Sequence, residues 1–239
     1  MANGLTWKSY QESLPASPNG VNNSDGNFSN LTDFTKMTAA DSDITSAGIV
    51  NLYAVKHNPF LYFRNVQNGG NPMLSQHQVV AFDGLSGLWG DLATGNVPNL
   101  SFIVPNQCND QHGRGNSTPY CGFDPNDNGT QTGLNPALIA LGDQVVQKIV
   151  TGIHNSPAWK QGHNAIITVW DENDYSVAPV INQVVAIVDT NYGVWGTKSN
   201  QFYTHFSLLR SLEGGFGLPC LNNACKVNVM QDLFAQASK

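Results

Sequence analysis

Polar stretches separated by short, unbroken apolar runs dominate this chain, and the runs predict its regular elements. Leu100 to Pro105 (LSFIVP) is apolar and partly β-branched, lies between Pro98 and the polar run Asn106 to Gly115, and predicts a buried strand opening into a polar loop. Asn135 is placed to cap a helix, Pro136 suits its first turn, and Leu138, Leu141, Val145, Ile149 and Val150 recur near the helical period, with Gly152 as a stop. Asn164 to Trp170 (NAIITVW) and Gln183 to Asp189 (QVVAIVD) predict two more strands, and His205 to Glu213 a last helix before Gly217 and Pro219. Strands apolar on both faces and alternating with helices imply an α/β fold: a mainly parallel sheet flanked by helices.

Two stretches break this order. Residues 19–43 are rich in Asn, Ser, Asp and Thr and read as a surface excursion. Residues 109–133 hold Pro119, Pro125 and several glycines, and form a loop long enough to be functional or a lid. No internal repeat is visible; the length allows one sizeable core or at most two small ones, and residues 1–239 are expected to form a single domain.

The composition of the 239 residues, 41% hydrophobic and 12% charged, is that of a folded globular protein. A net charge of -6 with 11 Lys plus Arg leaves little to pair with a phosphate backbone and excludes a nucleic-acid-binding surface. The opening MANGLTWKSY lacks the features of a signal peptide, and no apolar run reaches bilayer-spanning length. The 4 cysteines fall into two local pairs, Cys108 with Cys121 and Cys220 with Cys225, which suggests disulfides made outside the cytosol. Zinc is the competing reading, although neither pair has CxxC spacing. Sequons at Asn22, Asn27, Asn30, Asn99, Asn116 and Asn128 are compatible with secretion.

In open α/β sheets ligands sit beyond the carboxyl ends of the strands, so the residues after each apolar run are the ones to weigh. Asp171 and Glu172 leave the NAIITVW run as adjacent carboxylates, whose repulsion a divalent cation would relieve. An exposed acidic turn, with Asp174 capping the next segment, accounts for them equally well. Asp110 and His112 follow the LSFIVP run and can supply a carboxylate and an imidazole, although a lone loop histidine is usually ordinary. Lys56, His57 and Asn58 precede a rigid Pro59 in KHNPF, where they form an anion-facing cluster or merely a polar strand end. His205 lies near Ser207 and Arg210, and Arg210 has the spacing to pair with Glu213. His77, His154 and His163 read as surface residues, Trp159 and Trp170 as packing. GxSxG, P-loop, HExxH and GxGxxG motifs are absent.

Five ordered blocks between Thr6 and Pro219, namely TWKSYQESLP, KHNPFLYF, PNLSFIVPNQCNDQHG, AIITVWDENDY and HFSLLRSLEGGFGLP, resemble the phosphoesterase family of acid phosphatases and phospholipases C. The resemblance implies an alkaline-phosphatase-like α/β fold and hydrolysis of phosphoric esters assisted by one or more divalent metal ions. By position, His57 and His112 are similar to catalytic histidines, and Asp171 and Glu172 to metal ligands; Lys56, Asn58, Asp110 and His205 are the substrate-binding candidates. Relatives place the hydroxyl nucleophile before the block that starts here at Thr6, so the chain is expected to be a carboxyl-terminal portion, incomplete at its N-terminus. An inactive metal- or phosphate-binding module is the alternative. Exposed sheet edges would then favour association with another chain. The parent family is secreted or periplasmic, and phosphomonoesters and phospholipids both remain open as substrates.

Overall fold

The computed structural model describes residues 4–14, 43–45, 48–50, 53, 57–67, 69–106, 108–111, 136–173, 181–193 and 195–234. Lys56, His112 and Cys121 lie outside these residues, as do the stretches expected at 19–43 and 109–133 apart from Asp43 and 109–111. In chain order the elements are β1 (Trp7–Gln11), β2 (Asp43–Thr45), β3 (Gly48–Val50), α1 (Arg64–Gln67), β4 (Val79–Ala81), α2 (Leu88–Thr94), β5 (Leu100–Val104), α3 (Pro136–Asn155), β6 (Ala165–Val169), β7 (Ala186–Thr190) and α4 (His205–Gly215). They fall into two compact units, Met1–Ala158 with Asp174–Val180, and Trp159–Asn173 with Ile181–Lys239.

The first unit is built on a parallel three-stranded sheet ordered β4-β1-β5. β1 is central, pairing Ser9 with Val79 on one side and Trp7 with Leu100 on the other. Parallel neighbours require crossovers, and α2 lies in the one that joins β4 to β5. Side chains alternate along β1, so Trp7, Ser9 and Gln11 serve one face and Lys8 and Tyr10 the other. Trp7 packs with Tyr53, Leu61, Val66 and Val79 and stacks on Phe60 at 4.5 Å between ring centroids. Across the sheet, Tyr10 joins Phe82, Leu88, Leu92 and Ile149, which brings α2 and α3 onto that face. Fully burying a leucine such as Leu61 or Leu88 contributes roughly 2 kcal/mol, so these two clusters carry much of the unit's stability.

A buried polar contact joins strand to helix. Asp91 of α2 pairs with the ammonium of Lys8 and accepts a hydrogen bond from the Tyr10 hydroxyl at 2.6 Å. Burial and the neighbouring carboxylate together push the Tyr10 phenol far above its ordinary pKa. α2 ends at Gly95, whose φ of 74° is the left-handed conformation that glycine adopts without a Cβ clash. α3 runs three residues beyond Gly152, the expected stop. That glycine lies against Trp89, since a Cβ there would come within 3.0 Å of the indole, so the residue serves close packing and does not end the helix.

In the second unit the two apolar runs pair antiparallel, Ala165 opposite Thr190 and Val169 opposite Ala186, in a sheet of their own. This differs from the single mainly parallel sheet expected. An unbroken apolar run does not specify pairing direction, nor does it secure burial here, where Val185 and Ile187 stand 58% and 54% exposed. α4 begins with a capping box in which the Ser207 hydroxyl accepts the Thr204 amide at 3.2 Å. Its last turn is tied to the turn that follows by the buried Glu213, whose carboxylate accepts the Leu221 amide at 2.9 Å. Arg210 makes no ion pair with it, because Glu213 faces inward. A Cys220–Cys225 disulfide closes that turn, as the local spacing predicts, and Cys108 is disulfide-bonded as well.

Candidate functional site

The carboxyl edge of the parallel sheet gathers polar side chains, as an open α/β sheet leads one to expect. β1 extends one step beyond Gln11, the Glu12 amide donating to the Val104 carbonyl at 3.0 Å. Ser13 then turns the chain with a φ of 57°, a conformation that a residue bearing a Cβ adopts only under constraint. The Glu12 carboxylate accepts the backbone amide of Asn106 at 2.9 Å and the side-chain amide of Asn109 at 2.9 and 2.8 Å. Ser13 Oγ accepts the Asn106 side-chain amide at 3.0 Å, and Asn106 Oδ1 accepts the Cys108 amide at 2.9 Å. The turn after β5 is thereby bound to the end of β1.

That turn presents Asp110, and Asp110 Oδ2 lies 3.9 Å from His57 Nδ1. Both side chains are mostly buried, 16% and 26% exposed, so the carboxylate faces the imidazole in a partly desolvated setting. A histidine so oriented is suited to proton transfer or to bonding a phosphate oxygen. Beside it, Asn58 is fully buried. Its carbonyl oxygen accepts the Ser9 hydroxyl at 3.3 Å, its amide donates to the Tyr53 hydroxyl at 3.3 Å, and Gln11 donates to Ser9 Oγ at 2.9 Å. This buried chain of polar groups anchors the backbone next to His57 to the central strand. Burial also drives the Tyr53 phenol far above its ordinary pKa.

In the second unit, Asp171 and Glu172 leave β6 as exposed side chains. Asp171 Oδ1 accepts the Glu172 amide at 3.0 Å, and Asn173 is held by Asn182, whose side-chain oxygen accepts the Asn173 amide at 2.9 Å. His205, the first residue of α4, places Nε2 2.8 Å from the Trp170 carbonyl, one residue before the carboxylates. Among the described residues no three His, Cys, Asp or Glu side chains converge into a set able to hold a metal ion. The donor chemistry of Asp171 and Glu172, two carboxylates open to solvent, nonetheless fits a hard divalent cation as part of its coordination.

His77, His154 and His163 are exposed, and His163 stacks on Tyr192 at 4.5 Å. Glu12 and Ser13 are polar residues of the sheet edge that the sequence pattern does not single out, whereas Asn106 and Asn109 belong to the polar run already marked after LSFIVP. A signal was present, because they follow the strand ends in TWKSYQES and LSFIVPN. The first of those segments does not read as a strand, since Lys8, Ser9 and Gln11 interrupt its apolar pattern; Lys8 and Ser9 are satisfied by tertiary partners, and Gln11 donates to Ser9 within the strand.

Among the described residues no helix is long and apolar enough to cross a membrane. The chain is 25% identical to an acid phosphatase of Aspergillus fumigatus over 186 residues, 76% of this chain and 34% of that protein. It is 26% identical over 199 residues, 83% of this chain and 52% of the relative, to a phosphatidylinositol-3-phosphatase of Mycobacterium tuberculosis. A probable acid phosphatase of Kluyveromyces lactis is 25% identical over 220 residues, 91% of this chain and 40% of the relative. The chain thus spans between a third and about half of the length of these relatives. No solved structure matches it. The family model named Phosphoesterase matches residues 1–122, just over half of the 239. With that match and the polar edge of its parallel sheet, the chain belongs to the phosphoesterase family.

Proposed function

We propose that the chain serves the hydrolysis of phosphoric esters, with His57 as the imidazole that meets the phosphoryl group. The observation that carries this reading is the His57–Asp110 pair at the carboxyl edge of the parallel sheet. Asp110 faces this imidazole, which when protonated can donate to a phosphoryl oxygen or to a departing alkoxide. His112 is proposed as a second catalytic histidine, with Lys56 and His205 as substrate-binding groups, and Asn58 as the anchor that fixes His57.

A divalent cation, which polarises a phosphoryl oxygen when bound, is the cofactor this reading calls for, and Asp171 and Glu172 are the residues that would hold it. The names of the curated relatives, acid phosphatase and phosphatidylinositol-3-phosphatase, support a phosphate ester as substrate. The finer assignment is an alkaline-phosphatase-like fold with residues 1–239 as one domain. The disulfides support a secreted or periplasmic setting. The exposed Ile187 of β7 and Val185 just before that strand are proposed as the edge at which another chain associates.

The test is hydrolysis of p-nitrophenyl phosphate by the full chain, with and without divalent metal, beside His57→Asn, together with calorimetry of inorganic phosphate. Turnover that depends on His57 supports the reading. Phosphate binding without turnover would identify a binding module, and the absence of both would overturn the assignment.

A further inference from the structure

Glu12 stands at the carboxyl end of the central strand, where a parallel sheet places the groups that meet its ligand. Among the described residues its carboxylate accepts the Asn106 backbone amide and, with both oxygens, the Asn109 side chain, all from the turn after β5. A charged acceptor makes such bonds about twice as strong as neutral ones. Ser13, held at a φ of 57°, adds a further bond from its hydroxyl to Asn106. Residues that keep a strained backbone and a converging set of bonds at a strand end are over-determined in a way that a merely surface turn does not require. Asn109, the residue that both Glu12 oxygens grip, immediately precedes Asp110, and Asp110 faces His57.

We propose that Glu12 is the positioning residue of this site: it holds the Asn106–Asp110 turn in register so that the Asp110 carboxylate confronts the His57 imidazole. Glu12 itself does not touch substrate; it acts through Asn109 and Asp110. The inference deepens the phosphoesterase reading and rests on it for its consequence in catalysis, while the brace itself is a property of the fold.

The two carboxylate oxygens are not equivalent. Toward the turn, Glu12 Oε2 accepts both the Asn106 amide and the Asn109 side chain, whereas Oε1 accepts the Asn109 side chain. A glutamine whose oxygen takes the place of Oε2 can keep both bonds to that atom, while its amide, a donor, must turn away from the Asn109 side-chain amide; an alanine keeps none of these bonds. This asymmetry separates positioning from bulk stability.

The experiment compares the wild-type chain with Glu12→Gln, Glu12→Ala and Asn109→Ala. Each is followed by p-nitrophenyl phosphate kinetics, thermal unfolding and amide hydrogen exchange at Asn106. In Glu12→Ala the Asn106 amide is expected to exchange faster. Its kcat/KM should fall by as much as about 100-fold, the loss associated with roughly an ångström of misplacement. Glu12→Gln should stay within about three-fold of wild type, as the rescue expected when most charge-neutral bonds of the turn survive. Asn109→Ala, which leaves Glu12 intact, should reproduce the kinetic loss of Glu12→Ala, and it provides the readout if that variant fails to fold.

A folded Glu12→Ala with unchanged kcat/KM overturns the proposal, and so does an equal kinetic loss in the glutamine and alanine variants. If the wild type neither turns over p-nitrophenyl phosphate nor binds inorganic phosphate, the phosphoesterase reading is what fails. Exchange at Asn106 still decides the brace in that case: faster exchange in Glu12→Ala upholds it, and unchanged exchange overturns it.

Discussion

His205 Nε2 lies 2.8 Å from the carbonyl oxygen of Trp170 and so ties the first residue of α4 to the end of β6. A carbonyl oxygen only accepts, so Nε2 carries the proton and the neutral ring keeps its lone pair on Nδ1. The contact therefore holds the imidazole at the residue that immediately precedes Asp171 and Glu172.

His205→Phe keeps the ring's bulk and removes the donor. The expected result is a folded protein whose p-nitrophenyl phosphate hydrolysis falls by roughly ten-fold, the low end of the loss typical for a mispositioned polar group. His205→Gln, which can offer an amide donor to Trp170, should recover part of it. Steady-state kinetics of both variants decide the matter, and activity unchanged in His205→Phe would remove His205 from the site.

Stability at alkaline pH follows from Tyr10 and Tyr53. Both phenols are buried, and burial raises each above its ordinary value of 10.0. The folded chain thus holds these protons more tightly than the unfolded chain. Their contribution is complete below the unfolded value and is lost as pH rises above it. Each phenol should lower the unfolding free energy by about 1.4 kcal/mol per pH unit in that range, below its folded pKa. Tyr10→Phe should be less stable at neutral pH, since Asp91 loses a partner, yet decline less steeply with pH. Urea titrations above the ordinary tyrosine range measure the two slopes, and identical slopes would contradict the prediction.

How far the fold could be read from its pattern depended on whether each element owed its character to local or to tertiary causes. LSFIVP and NAIITVW announce strands by their own apolar, β-branched composition, and the strands appear at Leu100–Val104 and Ala165–Val169, half-buried where full burial was expected for the first. β1 is hidden because Ser9, Gln11 and Lys8 sit within it: Asn58 and Asp91, far away in sequence, partner Ser9 and Lys8, and Gln11 donates to Ser9 within the strand. The same cause concealed Glu12 as a site residue, whereas His57 and Asp110 stood out by residue type alone. The antiparallel pairing of β6 and β7 was illegible because apolarity carries no information about direction.

Ser13 offers a test of strain. A left-handed backbone at a residue with a Cβ costs about 1–2 kcal/mol, and the bond from Asn106 to its hydroxyl returns about 1 kcal/mol. Ser13→Gly relieves the first and forfeits the second, so its stability should lie within about 1 kcal/mol of wild type. Ser13→Ala keeps the strain and loses the bond, and should be less stable by about 1 kcal/mol. Urea unfolding of the pair checks the order; an alanine variant as stable as the glycine variant would show that the φ of 57° is not under strain.

The carboxylate pair after β6 makes the sharpest demand on the metal proposal. Asp171 spends one oxygen on the Glu172 amide and keeps the other available, and both side chains are open to solvent. If they hold a divalent cation, exhaustive chelation should abolish p-nitrophenyl phosphate hydrolysis and added metal should restore it. Asp171→Ala should then raise the metal concentration needed for half-restoration by at least about ten-fold, as expected when a charged oxygen ligand is deleted from a hard-cation site. Asp143→Ala, an exposed carboxylate on α3, should leave the restoration curve unchanged. Should Asp171→Ala and Asp143→Ala behave alike, the pair is an acidic turn whose side chain caps its own backbone, the alternative that the Asp171–Glu172 contact already accommodates.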